Sequence, residues 1–468
     1  MLSYTLENIN DQFSFFNTAR EDYLYNFSLT TDDPLIGPSM LQLILTTKCN
    51  LKCKMCGVWK TEEEEAQTPY IKKAIDDAYK LGNLQQIYFT GGEVLMREDI
   101  FSLVKYVRDY YPQLVVYLNT NGLLLNKRNI DRLFDLKLTD LGISVDSPDP
   151  KIHNSLRGEG VFERVIEALD YINAEKKRRN VNYPMLGTLS VLMDQTLDTI
   201  YDMLDFCIKH NFSVISIQPY VCNSDLRGKK QDELWIKEER LPLLRETLNK
   251  IESKRNKIPL YINIESDKIY NYFTQPLYVD KCYAGFSRVL VVGKKINFVC
   301  NGPNDEKCQH FGTVDKDSIN EVWSSEKARF FRNTIKSCRN NCVQFCSIRP
   351  SSDSLADIHQ RLLDKHNLFL LFREIELLED YAARYPGLKI QEIIDSDYSI
   401  IKENPGKLLN SIKGLVAHCN AEDLKRCLLK DISFLGAHLK NTDRSRFSVF
   451  KRGHNKIDHE GKNIIKGG

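Results

Sequence analysis

The chain has 468 residues, with 65 basic against 63 acidic side chains and a formal net charge of +2. Nothing in that balance suggests an electrostatic footprint for nucleic acid or a membrane surface, and neither is expected as a partner. The length suits roughly three structural units, and the longest apolar runs, such as Leu368 to Phe372, fall far short of a bilayer-spanning helix.

The first residues, MLSYTLENINDQFSFF, carry Glu7 and Asp11 and lack a basic start followed by an apolar run, so no secretory signal is expected. Residues 1–39 are taken as an N-terminal extension, and a cytoplasmic protein is the expectation. From residue 40 to 227, β-rich runs alternate with helical patterns. The strand-like runs are Leu41–Leu45, Gln86–Phe89, Leu114–Leu118, Leu141–Val145, Met185–Leu192 and Val214–Ile217. Thr68 followed by Pro69 predicts an N-cap and a proline in the first turn of a helix that Gly82 ends. Glu98–Tyr111 and Phe162–Lys177 repeat apolar residues at i, i+3 and i+4, as amphipathic helices do. Such β-α units imply a parallel sheet with right-handed crossovers, hence an incomplete (β/α) barrel of α/β class. Its working edge is the C-terminal end of the strands.

Beyond the barrel the pattern changes. Residues 228–275 form a charged, helical connector. RVLVVGKKINFVC, residues 288–300, predicts a β-hairpin turning at Gly293-Lys294-Lys295. A helix is expected from Asp317 to Lys336. Residues 351–441 are helical without a chemical signature, with Leu363, Leu368, Leu371 and Ile375 at helical spacing. Residues 442–468 are polar and rich in Gly, Lys and Asn, and are expected to be disordered.

Thirteen cysteines fall into two groups and a scatter of four. TTKCNLKCKMCGVWK, residues 46–60, places Cys49, Cys53 and Cys56 in a C-x3-C-x2-C loop directly after the first strand. Thiolates are the soft ligands that iron–sulfur clusters take. Three of them leave one iron of a four-iron cubane open, as a chemically active cluster needs. A structural zinc site more often shows paired C-x2-C units and a closed shell of four ligands.

This loop resembles the signature of radical S-adenosylmethionine (SAM) enzymes, in which the open iron is chelated by the methionine moiety. The resemblance implies a partial (β/α)6 TIM-like barrel, a [4Fe–4S] cluster on Cys49, Cys53 and Cys56, and SAM as co-substrate. It also implies an electron donor such as flavodoxin or ferredoxin. Gly91, Gly92 and Glu93, after the second strand, match the family's GGE motif, whose carbonyls and carboxylate suit the SAM ammonium. The Asn119-Thr-Asn-Gly122 segment resembles family TNG segments. Ser144, in GISVDSPD, resembles a ribose-contacting serine, and Arg157, in IHNSLRG, an arginine holding the methionine carboxylate. His153-Asn154 stands where His-Asp is common in the family.

Cys282, Cys300, Cys338, Cys342 and Cys346 form the second group, with Cys308 among them. The hairpin, the helix containing Trp323 and the terminal cysteines resemble the SPASM/Twitch extension, a small cysteine-rich α+β domain here placed at 276–350. Two closed cubanes would require eight cysteines, so six point to one auxiliary [4Fe–4S] cluster. Cys282 and Cys300 would supply two ligands and two of Cys338, Cys342 and Cys346 the rest; a zinc site on the same cysteines is the alternative. The reaction expected is reductive cleavage of SAM to a 5′-deoxyadenosyl radical that takes hydrogen from a substrate. That substrate is either a sugar or aminocyclitol-like small molecule or a peptide undergoing maturation. A non-enzymatic metal-binding scaffold is the third reading.

Overall fold

The structure, a computed structural model, describes residues 34, 37–221, 233–255, 257–264, 266–274, 282–298 and 310–336. Along β1 (Met40–Ile44), Leu41 and Leu43 are fully buried while Met40, Gln42 and Ile44 are half-buried. β2 (Gln86–Thr90) repeats this with Ile87 and Phe89. Successive side chains point to opposite faces of a strand, so one face of the sheet is apolar and closed. Val116 and Leu118 of β3 (Val115–Thr120), Leu141 and Ile143 of β4 (Asp140–Ile143), and Ile215 and Ile217 of β6 (Val214–Pro219) continue it. β5 (Met185–Leu192) lies between β4 and β6.

Against that face pack the apolar sides of α1 (Thr68–Lys80), α2 (Ile100–Tyr110), α3 (Lys127–Asp135), α5 (Val161–Arg179) and α7 (Leu241–Lys254). The short helices α4 (Pro150–Arg157) and α6 (Met203–Lys209) complete the crossovers. Each buried Leu, Ile or Phe in this layer contributes about 1.5–3 kcal/mol. Among the described residues no helix is long and apolar enough to cross a membrane.

The sheet is larger than the expected six strands. β7 (Tyr261–Asn263) lies in the stretch expected to be a helical connector and adds in parallel to β6, followed by α8 (Ser266–Thr274). The predicted hairpin is present as β8 (Arg288–Val292) and β9 (Lys295–Asn297), turning at Gly293 and Lys294 with Gly293 at φ +57°. β8 pairs in parallel with β1, Met40 opposite Arg288 through Ile44 opposite Val292. With β10 (Gly312–Thr313) the order is β10-β9-β8-β1-β2-β3-β4-β5-β6-β7, an open, mostly parallel ten-stranded sheet.

Two helix predictions need correction. Thr68 lies inside α1, whose cap is Gln67, and its hydroxyl donates to Asp99 instead of capping the helix. The helix expected over 317–336 is broken at Ser325 into α9 (Ile319–Ser324) and α10 (Glu326–Lys336); Ser318 and Glu321 form a reciprocal capping box at the start of α9. Cys300, Cys308, Cys338, Cys342, Cys346 and the segments 351–441 and 442–468 lie outside the described residues.

Candidate active site

The cysteine loop leaves the C-terminal end of β1. Leu45 N–H donates to Thr90 O, and Lys48 N–H donates to the Thr46 hydroxyl, which in turn donates to Glu65 Oε1 at 2.7 Å. Cys53 O accepts from Cys56 N–H at 3.1 Å and from the Trp59 indole at 3.4 Å. Across the loop, Lys54 N–H donates to Leu156 O and the Cys53 thiol donates to Arg157 O at 3.9 Å, so the end of α4 backs the loop.

None of the three thiols is in a disulfide; Cys53 is buried, and Cys49 and Cys56 are half-buried. Burial raises the Cys53 pKa to about 11 against the opposing pull of the Arg157 charge, and raises that of Cys49 as well. The charge of Cys56 adds to the rise at both, and that of Cys49 adds to the rise at Cys53. Among the described residues, however, no three His, Cys, Asp or Glu side chains are gathered into a finished metal shell. Three soft donors in one loop, with the Arg157 guanidinium beside Cys53, fit an anionic iron–sulfur cluster better than they fit a closed zinc site.

Gly91 and Gly92 serve a close backbone approach. A Cβ on Gly92 would lie 2.2 Å from Lys48 O, and one on Gly91 would lie 2.5 Å from Thr46 O. Gly92 N–H donates to Thr46 O at 2.8 Å and Glu93 N–H to Lys48 O at 2.9 Å, which clips the residues preceding Cys49 onto the end of β2. The carbonyls of Gly91 and Gly92 accept no hydrogen bond among the described residues.

The carboxylate of Glu93 departs from expectation. Glu93 is 0 % exposed; Oε1 accepts from Leu95 N–H at 3.0 Å and the Thr120 hydroxyl at 2.8 Å, and Oε2 accepts from Asn121 N–H at 2.8 Å. Burial raises its pKa, opposed by these donors. The side chain of Glu93 thus forms an internal brace between the segment that follows β2 and the end of β3.

Ser144 is buried beyond β4, its N–H donating to Thr120 O; its hydroxyl makes no hydrogen bond among the described residues. Arg157 is not poised as a lone cation. Its Nε and Nη2 donate to Asp146 at 2.6 and 3.1 Å, and Asp146, 0 % exposed, also accepts from Val191 N–H at 3.0 Å. The Arg157 pKa is raised, with Asp146 the principal favourable cause set against burial. Of the second cysteine group only Cys282 is described; it is half-buried before β8.

Two residues were not singled out from sequence. Asp146 stands two residues after Ser144, within the segment already noted. Asn121, inside the TNG segment, donates through Nδ2 to Asn50 Oδ1 at 2.8 Å and lies 3.8 Å from Cys49 Sγ.

A family model described as the Radical SAM superfamily matches residues 43–207, the span that carries all these groups except Cys282. The GTP 3′,8-cyclase of Sulfurimonas denitrificans is 27% identical over 207 residues, 42% of this chain and 60% of that protein. The AdoMet-dependent heme synthase of Oleidesulfovibrio alaskensis is 29% identical over 151 residues, 31% of this chain and 38% of that protein. The chain thus spans only part of the length of these curated relatives. The solved structure of anSMEcpe with bound AdoMet aligns with a TM-score of 0.52 at 16% identity, covering 72% of this chain and 98% of that one. In fold, the open parallel sheet is that of the partial barrels. Residues 43–207 are thus a radical SAM superfamily domain, and the cofactors of that superfamily are a [4Fe–4S] cluster and SAM.

Proposed function

We propose that this protein is a radical SAM enzyme in which Cys49, Cys53 and Cys56 hold the cluster. What supports this is the placement of Cys49, Cys53 and Cys56 in one loop directly after β1, backed by Leu156 and Arg157 of α4 and clipped by the Gly91–Glu93 segment. A cluster held there would supply the electron for reductive cleavage of SAM, the source of a 5′-deoxyadenosyl radical for hydrogen abstraction. The chain's own residues bind and orient. The open carbonyls of Gly91 and Gly92 suit the SAM ammonium, the Ser144 hydroxyl suits the ribose, and Arg157 Nη1 remains for the methionine carboxylate. Cys282, Cys300 and two of Cys338, Cys342 and Cys346 would hold an auxiliary [4Fe–4S] cluster that takes up the electron left on substrate. Flavodoxin or ferredoxin in a reducing cytoplasm would supply the first electron.

For substrate we favour a sugar or aminocyclitol-like molecule. The sheet face opposite the helices carries Gln42, Tyr88, Tyr117, Asn119, Ser216 and Asn263. Tyr88 and Tyr117 stack with centroids 4.7 Å apart, and Asn263 Nδ2 donates to Ser216 Oγ. Asn119 Oδ1 is buried with no hydrogen-bond partner among the described residues, an acceptor suited to a substrate hydroxyl. The peptide reading is supported by the fold neighbour whose structure holds a bound peptide, at TM-score 0.51.

Anaerobic reconstitution tests the central reading. It should give about eight irons per chain, two cubanes, and Cys49→Ala, Cys53→Ala and Cys56→Ala together should remove about half. Reduction should then release 5′-deoxyadenosine from SAM. Zinc with only trace iron in the wild type would refute it.

A further inference from the structure

We propose that Asn121 is a positioning residue for the cysteine loop, and that Glu93 acts on this loop through Asn121 instead of on a bound ligand. The inference rests on the reading that Cys49 is a cluster ligand.

Asn121 is 6 % exposed and sits just past the end of β3, facing the first cysteine. Its amide orientation is fixed by its surroundings. Oδ1 accepts from Leu123 N–H at 3.0 Å, so Nδ2 must face the loop, where it donates to Asn50 Oδ1 at 2.8 Å and lies 3.8 Å from Cys49 Sγ. Its main-chain N–H is held by Glu93 Oε2 at 2.8 Å. Glu93 therefore reaches Cys49 from two sides. Its own N–H holds Lys48 O, one residue before the cysteine, and its carboxylate holds the residue whose side chain flanks the cysteine. Both carboxylate oxygens are occupied, and contact with a ligand would require one to give up a buried donor at a cost of about 1–3 kcal/mol.

The chemical consequence follows from where the amide points. A second N–H from Leu51, at 3.4 Å, also reaches Cys49 Sγ. Hydrogen bonds to ligand sulfurs favour their negative charge and set the reduction potential of a cluster. Outer partners of metal ligands typically contribute 10–100-fold in metal affinity. Asn121 thus makes the sulfur of Cys49 a better-stabilised thiolate, and Glu93 keeps Asn121 in place.

The experiment compares Asn121→Leu, Asn121→Asp and Glu93→Gln with wild type after anaerobic reconstitution. Asn121→Leu keeps the main-chain N–H bonded to Glu93 but removes both side-chain donors. Asn121→Asp keeps the shape and the Leu123 bond, so it serves if the leucine variant misfolds. Three readouts are taken: iron loss to a chelator, the midpoint potential by EPR-monitored titration without SAM, and SAM affinity. Each variant should lose iron about 10–100-fold faster with SAM affinity little changed, and both Asn121 variants should show a more negative potential. The Asn121→Leu/Glu93→Gln pair should be no worse than the more severe single variant, because the two act in series. Wild-type iron retention and potential in both Asn121 variants would overturn the proposal. So would a Glu93→Gln variant that keeps its iron as wild type does but loses SAM affinity. Wild-type protein that binds SAM and iron normally while the variants show no change refutes this inference alone; wild-type protein without iron refutes the underlying reading with it.

Discussion

Replacing Gly92 with alanine tests the close approach on which the candidate site is built. The new Cβ would stand 2.2 Å from Lys48 O, 2.7 Å from Lys48 C and 2.7 Å from Thr47 O, all main-chain atoms with no rotamer to yield. Reaching an ordinary separation of roughly 3.2 Å or more requires a displacement of about 1 Å. The hydrogen bonds from Gly92 N–H to Thr46 O and Glu93 N–H to Lys48 O, now 2.8 and 2.9 Å, would then exceed useful length. Overpacking costs about 1–3 kcal/mol, and two hydrogen bonds at about 1 kcal/mol each bring the loss to roughly 3–5 kcal/mol. For a domain of this size that is a fall in Tm of roughly 6–20 °C. Thermal unfolding of the iron-free protein isolates the packing effect from cluster loss, and iron content after reconstitution reads the displacement of Cys49. The expected result is a lower Tm and reduced iron. A Gly92→Ala protein melting within about 2 °C of wild type and loading iron normally would show that β2 does not press on the loop.

Two further predictions concern the backing of the loop by α4. His153 is fully buried, and burial, helped by the Arg157 charge, lowers its pKa to about 4. The unfolded chain, with a histidine pKa near 6.5, takes up a proton that the folded protein refuses, so stability falls as pH drops from about 6.5 towards 4. The loss is about 2 kcal/mol at pH 5. His153→Asn should melt with less dependence on pH between 7 and 5, and a wild-type-to-variant difference that stays constant over that range would exclude this source. Asp146→Ala removes the carboxylate that neutralises buried Arg157 and should cost about 3–5 kcal/mol, measured by denaturant unfolding. Asp146→Asn should cost less. Equal stability of Asp146→Ala and wild type would mean that the ion pair does not hold α4 in place.

The strands were legible wherever β-branched and apolar residues alternate over five or more positions, as in Val115–Thr120 and Met185–Leu192. Tyr261–Asn263 escaped notice because a three-residue strand presents too little alternation to register. The hairpin was legible from its turn, but its parallel seat beside β1 was not, since pairing between Met40 and Arg288 leaves no local pattern. α4 carried an unused signal: Asp149 followed by Pro150, an N-cap and a proline at the first helical position. At the site, cysteine spacing and the Gly-Gly-Glu triplet pointed to two segments that the fold joins at the ends of β1 and β2. What they could not convey is direction. Glu93 turns inward because Thr120 and Asn121, nearly thirty residues later, supply the donors that a buried carboxylate needs. Arg157 is committed to Asp146 for the same reason, a partner defined by tertiary packing and not by spacing.

The seat of β8 also orders events in time. The strand that launches the cysteine loop has neighbours on both sides, β2 nearby in the chain and β8 far along it, with Ser39 and Ser287 joined across 248 positions. A ribosome adding about 5–20 residues per second exposes the loop roughly 12–50 s before that second neighbour emerges. During this interval Cys49, Cys53 and Cys56 can be presented by a half-flanked β1, without Gly293 N–H on Ile44 O or Lys295 on Glu63. Iron delivered in that interval would meet a loop launched from a strand paired on one side; iron delivered afterwards would meet the same strand paired on both.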